Sequence, residues 1–433
     1  MSIDEFKLPP SLKGKVFRAG EYFEKKARDP GPDFLLDKLS HTRRVKTPEG
    51  AFLHRRVYIP LTGESTPDGY LLPGGGKEWR LEPDLLAKLA GAPEWIPSNP
   101  ERLVFFDVET TGLAGGTGTY PFLCGIGFLE GDSFVVEQFF MEDYPFEKIM
   151  LSHLAQKFKN AEAFVTFNGK AFDLPLIATR FIYNRMPVDL ELPHIDLLHP
   201  ARRIWRGTFP DCRLETIERK FFGLFRKQDV ESSLIPQIYF NFVRERHRDW
   251  MLPVFHHNVQ DIATLCGLLN FFCRMLSEPD KAELKRPLEL WGLGRLFLKF
   301  GCIEEAVKTI ECALYVSRDP DLAETLLVHA GRLYKKLGRW EQAIRTWDQL
   351  IQGSRKHRIT SAVELAKYYE HREKQPHRAR EIILKAIKHV EAAGELEGYI
   401  YGIEEAKTLE ITPDIEHRLK RLEKKIARLE DNL

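Results

Sequence analysis

The chain has 433 residues, which at roughly 150 residues per domain allows two or three domains, each burying its own core. Its 64 Lys and Arg side chains against 63 Asp and Glu leave a formal charge of +1, so bulk basicity is excluded as a source of affinity for a polyanion and any such affinity must come from a local patch. The six cysteines (Cys124, Cys212, Cys266, Cys273, Cys302, Cys312) form no C-x-x-C pair, which argues against a zinc site and a disulfide framework; without a signal-peptide core in "MSIDEFKLPPSLKGK" or an unbroken apolar run of about 18 residues, a soluble, cytoplasmic, reduced protein is expected.

Residues 1–100 are rich in proline, glycine and charge. They read as a lightly structured N-terminal accessory region with one strand at "AFLHRRVYIP" (51–60) and a turn at "LPGGGKEW" (72–79). Gly74 to Gly76 do not make a phosphate cradle, because no Lys-Ser/Thr or helix start follows at the required spacing.

From 101 to 278 strand and helix signals alternate. "RLVFFDVETTG" predicts a strand ending in a turn, and "FLCGIGFLEGDSFVVEQFFMED" predicts two strands around Glu130-Gly131-Asp132. "AFVTFNG" is a further short strand, and "DLPLIATRFIYNRM" returns to helical spacing after a helix-start aspartate and proline. The expected fold is α/β, a mixed sheet with helical cover.

From 285 to 433 the chain reads as helical and repetitive. "LGRLFLKFGCIEEAVKTIECAL" (293–314) aligns with "AGRLYKKLGRWEQAIRTWDQLI" (330–351), with Gly294, Gly301 and Ala306 each 37 positions before Gly331, Gly338 and Ala343. A weaker copy at 365–387 keeps Tyr369 and Ala379. This periodicity resembles tetratricopeptide repeats, whose stacked helix pairs form a concave binding surface.

Chemistry concentrates in four acids. Strand alternation in "FFDVETTG" puts Asp107 and Glu109 on one face, where two like charges are costly unless a cation lies between them. Asp173 in "FNGKAFDLP" stands at a helix start, where an N-capping role is the plain alternative; Asn168 and Lys170, in the turn before it, are candidates for touching a phosphate. Asp261 borders the apolar stripe Ile262, Leu265, Cys266 and Leu269 of a helix and needs a partner, either a metal or an arginine.

In this order, "FDVETTGL", "NGKAFDLP" and "HNVQDIATL" resemble the three motifs of the DEDD (DnaQ-like) 3′-5′ exonucleases on the ribonuclease H-like fold, over residues 102–272. "GLAGGTGTYPFLCGIGF" is similar to the YprB-type branch, in which that domain is joined to C-terminal repeats and which includes a mitomycin-repair exonuclease. The resemblance implies that Asp107, Glu109, Asp173 and Asp261 bind two Mg²⁺ or Mn²⁺ ions. It also implies that a histidine acts as general base, that single-stranded nucleic acid is the substrate, and that DNA repair with a helicase partner on the repeats is the setting. The motifs leave RNA as an alternative polymer, and an inactivated, non-catalytic scaffold as an alternative class.

A track for the strand is expected in residues 199–228, which hold eight Arg and Lys against three acids. Within it Arg202, Arg203 and Arg206 would follow phosphates and Trp205 would stack a base. The run Gly115 to Thr119 is either a close approach to substrate or a loose hairpin loop. His256 and His257 compete for the base: if the helix already includes residue 257, His257 shares a face with Asp261 and is the expected base, whereas His256 qualifies only if it precedes the helix.

Overall fold

Seven strands form one sheet in the order β1-β2-β5-β4-β3-β6-β7, seen in a computed structural model that describes residues 33–112, 118–226, 229–245, 248–281, 283–401 and 413–431. The strands are β1 (Thr42–Thr47), β2 (Gly50–Pro60), β3 (Leu103–Thr110), β4 (Pro121–Glu130), β5 (Ser133–Phe140), β6 (Ala163–Thr166) and β7 (His194–Asp196). β1 through β5 pair antiparallel, whereas β3, β6 and β7 run parallel. Such a mixed sheet matches the α/β expectation.

The helices are α1 (Phe34–Lys38), α2 (Pro83–Ala90), α3 (Glu147–Phe158), α4 (Asp173–Tyr183), α5 (Leu198–Trp205), α6 (Leu214–Ile217), α7 (Ile235–Glu245) and α8 (Met251–Ser277). They are followed by α9 (Pro287–Lys299), α10 (Ile303–Val316), α11 (Pro320–Lys336), α12 (Trp340–Gly353), α13 (Arg358–His371), α14 (Pro376–Tyr401) and α15 (Pro413–Glu430). By length and composition the stretch Arg248–Ser277 could cross a membrane, but most of it is buried inside the protein. Core packing accounts for its apolar character.

The chain divides into two compact units: residues 1–199 with 213–274, and residues 200–212 with 275–433. In the first, the described part of the N-terminal region, from residue 33, is not a loose accessory. Residues 42–60 fold as a hairpin whose second strand pairs with β5 from Leu53↔Phe140 to Pro60↔Ser133. The physical reason is in β2 itself: Phe52, Leu53, Val57 and Ile59 are buried, so the segment belongs to the core and supplies the partner that β5 lacks on that side. The glycine run is a plain turn, with Gly74 and Gly76 at φ 70° and 77°. Gly131, at φ 56°, makes the tight β4–β5 turn.

In the second unit the repeats are helix pairs. Gly331 lets α11 approach α12, where a methyl would stand 2.7 Å from Trp347 Nε1, whereas a methyl at Gly294 would meet Ile310 of α10 at an ordinary contact distance of 3.4 Å. Gly301 and Gly338 close the turns in the left-handed region at φ 76° and 73°. Lys374, which lies 36 positions after Gly338, adopts the same conformation at φ 58°. The third pair therefore keeps the turn geometry without the glycine that would reveal it in sequence. A left-handed conformation costs a residue with a side chain roughly 1 kcal/mol. Lys374→Gly should therefore raise, and Gly338→Ala lower, the thermal midpoint of the helical unit, each through a change of about 1 kcal/mol.

Candidate active site

The carboxylates meet on one face of the sheet. Asp107 on β3 is in register with Gly125 on β4, which is in register with Gln138 on β5. α8 crosses this row closely because β4 offers no side chain there: a methyl at Gly125 would collide with Asn258 and Ile262, and one at Gly127 with Phe134 and Ile262. The buried Asn258 side chain occupies that gap. Its Nδ2 donates to Asp107 Oδ2 at 2.8 Å, and its Oδ1 accepts from Gln138 Nε2 at 2.9 Å. The first acid is thereby fixed by an amide that cannot be lost to solvent.

Asp173 is the first residue of α4, not the residue capping it. The backbone of Asp173 itself and that of Val108 on β3 oppose the rise that desolvation imposes on its carboxyl. The turn before it places Asn168 in the left-handed region at φ 70°, a conformation that asparagine tolerates better than most. The buried Asp196 organises that turn by accepting from the amides of Asn168 at 2.8 Å and Lys170 at 3.3 Å. Lys170 itself is exposed.

α8 contains both histidines, so neither precedes the helix. His257 faces the acids: its Nε2 lies 3.4 Å from Asp261 Oδ2 and 3.9 Å from Glu109 Oε1, and its Nδ1 lies 2.7 Å from Asp229 Oδ1. His256 is turned away, with Nδ1 hydrogen-bonded to the Tyr70 hydroxyl and its ring stacked on Tyr70 at 5.3 Å. Successive helical residues point about 100° apart, which is enough to send the two imidazoles to different neighbours.

Arg226 completes the group. Its guanidinium lies 2.5 Å from Asp261 Oδ1, 2.5 Å from Glu218 Oε2 and 3.5 Å from Asp229 Oδ2. Glu218 also accepts from Thr264 Oγ1 at 3.1 Å. The basic stretch 199–228 is therefore not one continuous track. Arg226 is a buried counter-charge, whereas Arg202, Arg203, Trp205 and Arg206 belong to the second unit. Trp205 cannot stack a base, because its ring is fully buried against Phe209, 5.8 Å away and nearly parallel. An indole among arginines resembles a stacking platform in sequence, but its apolar area is better used in a core. Arg202 and Arg206 are exposed and Arg203 is partly so. Residues 113–117 and Lys227 lie outside the described residues, and with them most of the Gly115 to Thr119 run.

Burial and mutual repulsion dominate the electrostatics. Desolvation first, then the charges of Asp261, Glu109 and Asp173, pushes Asp107 well above the usual carboxylate range. Desolvation also raises Glu109 and Asp173, each to about 7. For His257, desolvation favours the neutral ring, but Asp261, Asp229 and Glu109 overcome it and hold the imidazole up to about 10. Desolvation would raise Asp229, but the hydrogen bond and charge of His257, the charge of Arg226 and the Val230 amide together bring it below its ordinary value. Among the described residues, no three Asp, Glu, His or Cys side chains are drawn together as a metal-holding group. Carboxylates whose charges repel do not converge unaided. Their chemistry nevertheless suits a divalent cation: the donors are all hard oxygens, and positive charge between them would relieve the strain that raises their pKa values.

The structure places His257 beside Glu109 and Asp261 and surrounds them with residues that the sequence did not single out: Asp229, Glu218, Gln138 and Arg226 as a counter-charge. Asn258 stood within the quoted "HNVQD" and was detectable there. Asp229 and Arg226 lie in irregular chain, where no periodicity assigns a facing direction.

The RNase H superfamily profile matches residues 104–272. The chain is also 33% identical over 303 residues to an uncharacterized protein, YprB, of Bacillus subtilis (strain 168), an alignment covering 69% of this chain and 72% of the relative. Removing the buried Arg226 charge with Arg226→Met should leave Glu218 without a cation and Asp261 with His257 alone, and cost about 3–5 kcal/mol of stability in metal-free buffer, read by urea unfolding of the nuclease unit.

Proposed function

Because the chain belongs to the RNase H superfamily and is a relative of YprB, we propose that it is a metal-dependent 3′-5′ exonuclease. It releases nucleotides from single-stranded ends, DNA in preference to RNA. The observation that carries this reading is the placement of His257, whose Nδ1 is held by Asp229 while Nε2 points at Glu109 and Asp261.

Asp107, Glu109, Asp173 and Asp261 would hold Mg²⁺ or Mn²⁺, two ions in all. When bound, such ions stabilise the attacking and leaving oxygens of an in-line phosphoryl displacement. Divalent cations on the acids would offset the negative charge that holds the His257 ring protonated; the neutral Nε2 would then take the proton of the attacking water as the new P–O bond forms and the bond to the departing 3′ oxygen breaks. Hydrogen bonding of Nδ1 to Asp229 keeps the ring in the orientation this transfer needs. On this reading Asn168 and Lys170, in the turn before Asp173, would touch the terminal phosphates, and the exposed Arg202 and Arg206, with Arg203, would make other contacts with the strand. The helix pairs of 285–433 serve, on this reading, as a tetratricopeptide-like docking surface for a helicase or another partner in DNA repair.

Asp107→Asn should abolish Mg²⁺- or Mn²⁺-dependent shortening of 5′-labelled oligonucleotides while the far-ultraviolet dichroism stays unchanged. Persistence of full activity would reject the reading, and faster loss of RNA than DNA would change the polymer. His257→Ala should slow hydrolysis by 10²- to 10⁴-fold, the usual worth of a general base. His256→Ala should cost far less, and the reverse ranking would transfer the base to His256.

A further inference from the structure

A second basic site lies on the other face of the same sheet. The cross-strand rows fix this directly: Arg55, Gln138, Gly125 and Asp107 share one face, so their neighbours His54, Arg56, Glu137 and Phe139 share the opposite one. There β1, β2, β5 and α3 enclose an open cavity of about 870 Å³ whose lining includes Arg43, His54, Arg56, Tyr58, Glu137 and Lys157. β1 is four strand spacings from β3, about 19 Å, so the cavity's outer strand is remote from Asp107.

The lining combines cations with an exposed ring. Glu137 is buried and already neutralised, with Lys157 Nζ at 2.8 Å, His54 Nε2 at 3.3 Å and Arg56 at 3.5 Å. Arg43 is exposed, its Nε donating to His54 Nδ1 at 3.3 Å, and among the described residues no carboxylate pairs with it. Tyr58 is 46% exposed, with the His41 ring edge-on at 6.5 Å and the Arg56 guanidinium 5.1 Å from its ring centroid; Arg56 is itself paired with Glu130 and Glu137, so Arg43 is the cation of the lining left to a phosphate. Positive charge beside a solvent-facing aromatic ring is what holds a nucleotide, the cation on the phosphate and the ring on the base.

We propose that this cavity binds nucleotide units of a single strand, through their phosphates and bases, at a point separate from the carboxylate face. Attachment there keeps a long strand near the enzyme and raises the effective concentration of its end at the carboxylates. The proposal rests on the nucleic-acid reading above but not on hydrolysis, so it is tested without metal.

The test is fluorescence anisotropy of a labelled oligo-dT of about 20 nucleotides in EDTA, for the full chain and for Arg43→Glu and Tyr58→Ala, with dichroism and thermal midpoint as controls of folding. Both side chains are exposed and neither belongs to the catalytic group. Each variant should weaken binding about tenfold while cleaving a dinucleotide at the parental rate in Mg²⁺. Competition by free AMP at concentrations comparable to those of nucleotide units in the oligomer would show that the cavity takes free nucleotides; failure of AMP to compete would assign it to the strand. Both results leave the nucleotide chemistry standing. Undiminished affinity in both folded variants would overturn the proposal, as would self-association of Arg43→Glu with unchanged binding, which would make Arg43 a guard of the sheet edge. Loss of hydrolysis with binding intact would count against the exonuclease reading alone.

Discussion

Like charges gathered where water is scarce are the constraint that organises the first unit. Asp107, Glu109, Asp173 and Asp261 are near enough to feel one another's charge, and desolvation raises the first three above their ordinary range. Such a group survives folding only with compensation, and the neighbours supply it. Arg226 stands between Asp261, Glu218 and Asp229, and His257 is held as a cation among Asp261, Asp229 and Glu109. Counted formally, six carboxylates against one guanidinium and one imidazolium leave four negative charges. An excess of negative charge on hard oxygen donors suits a divalent cation better than it suits stability.

Much of this was legible in sequence for a simple reason. Strand alternation assigns Asp107 and Glu109 a common face, and helical spacing assigns His257 and Asp261 a common edge. Both rules operate within one element and need no knowledge of the fold. Asp229 and Arg226 escape them because their direction is set by loop geometry, which has no period. Trp205 was misread for the opposite reason: the local context of arginines was informative about charge but silent about depth. The mixed sheet and the helical C-terminal region were read correctly as classes, yet the third helix pair was faint because Lys374 holds a turn conformation that glycine advertises elsewhere.

Two glycines carry more of the site than their size suggests. α8 reaches the sheet only because Gly125 and Gly127 present no Cβ to Ile262. Their placement decides how near Asp261 and His257 come to Asp107 and Glu109. In the "CGIGF" stretch the apolar residues fill the core, and the glycines set the spacing between two layers that both carry acids.

The N-terminal hairpin belongs to this argument as well. Arg55 on β2 is buried and donates to Gln138 Oε1 at 3.3 Å and to the Tyr70 hydroxyl at 3.1 Å. Gln138 passes the connection through Asn258 to Asp107, and Tyr70 passes it to His256. The two adjacent histidines thus have complementary places: His257 faces the acids, and His256 fastens α8 to the segment leading out of the hairpin. A one-residue slip of β2 against β5 would turn Arg55 to the opposite face and bring Arg56 or His54 to the catalytic side. Neither end of the polar chain would then find its partner. The register of a strand some 50 residues before the first acid therefore bears on where that acid's carboxylate can rest.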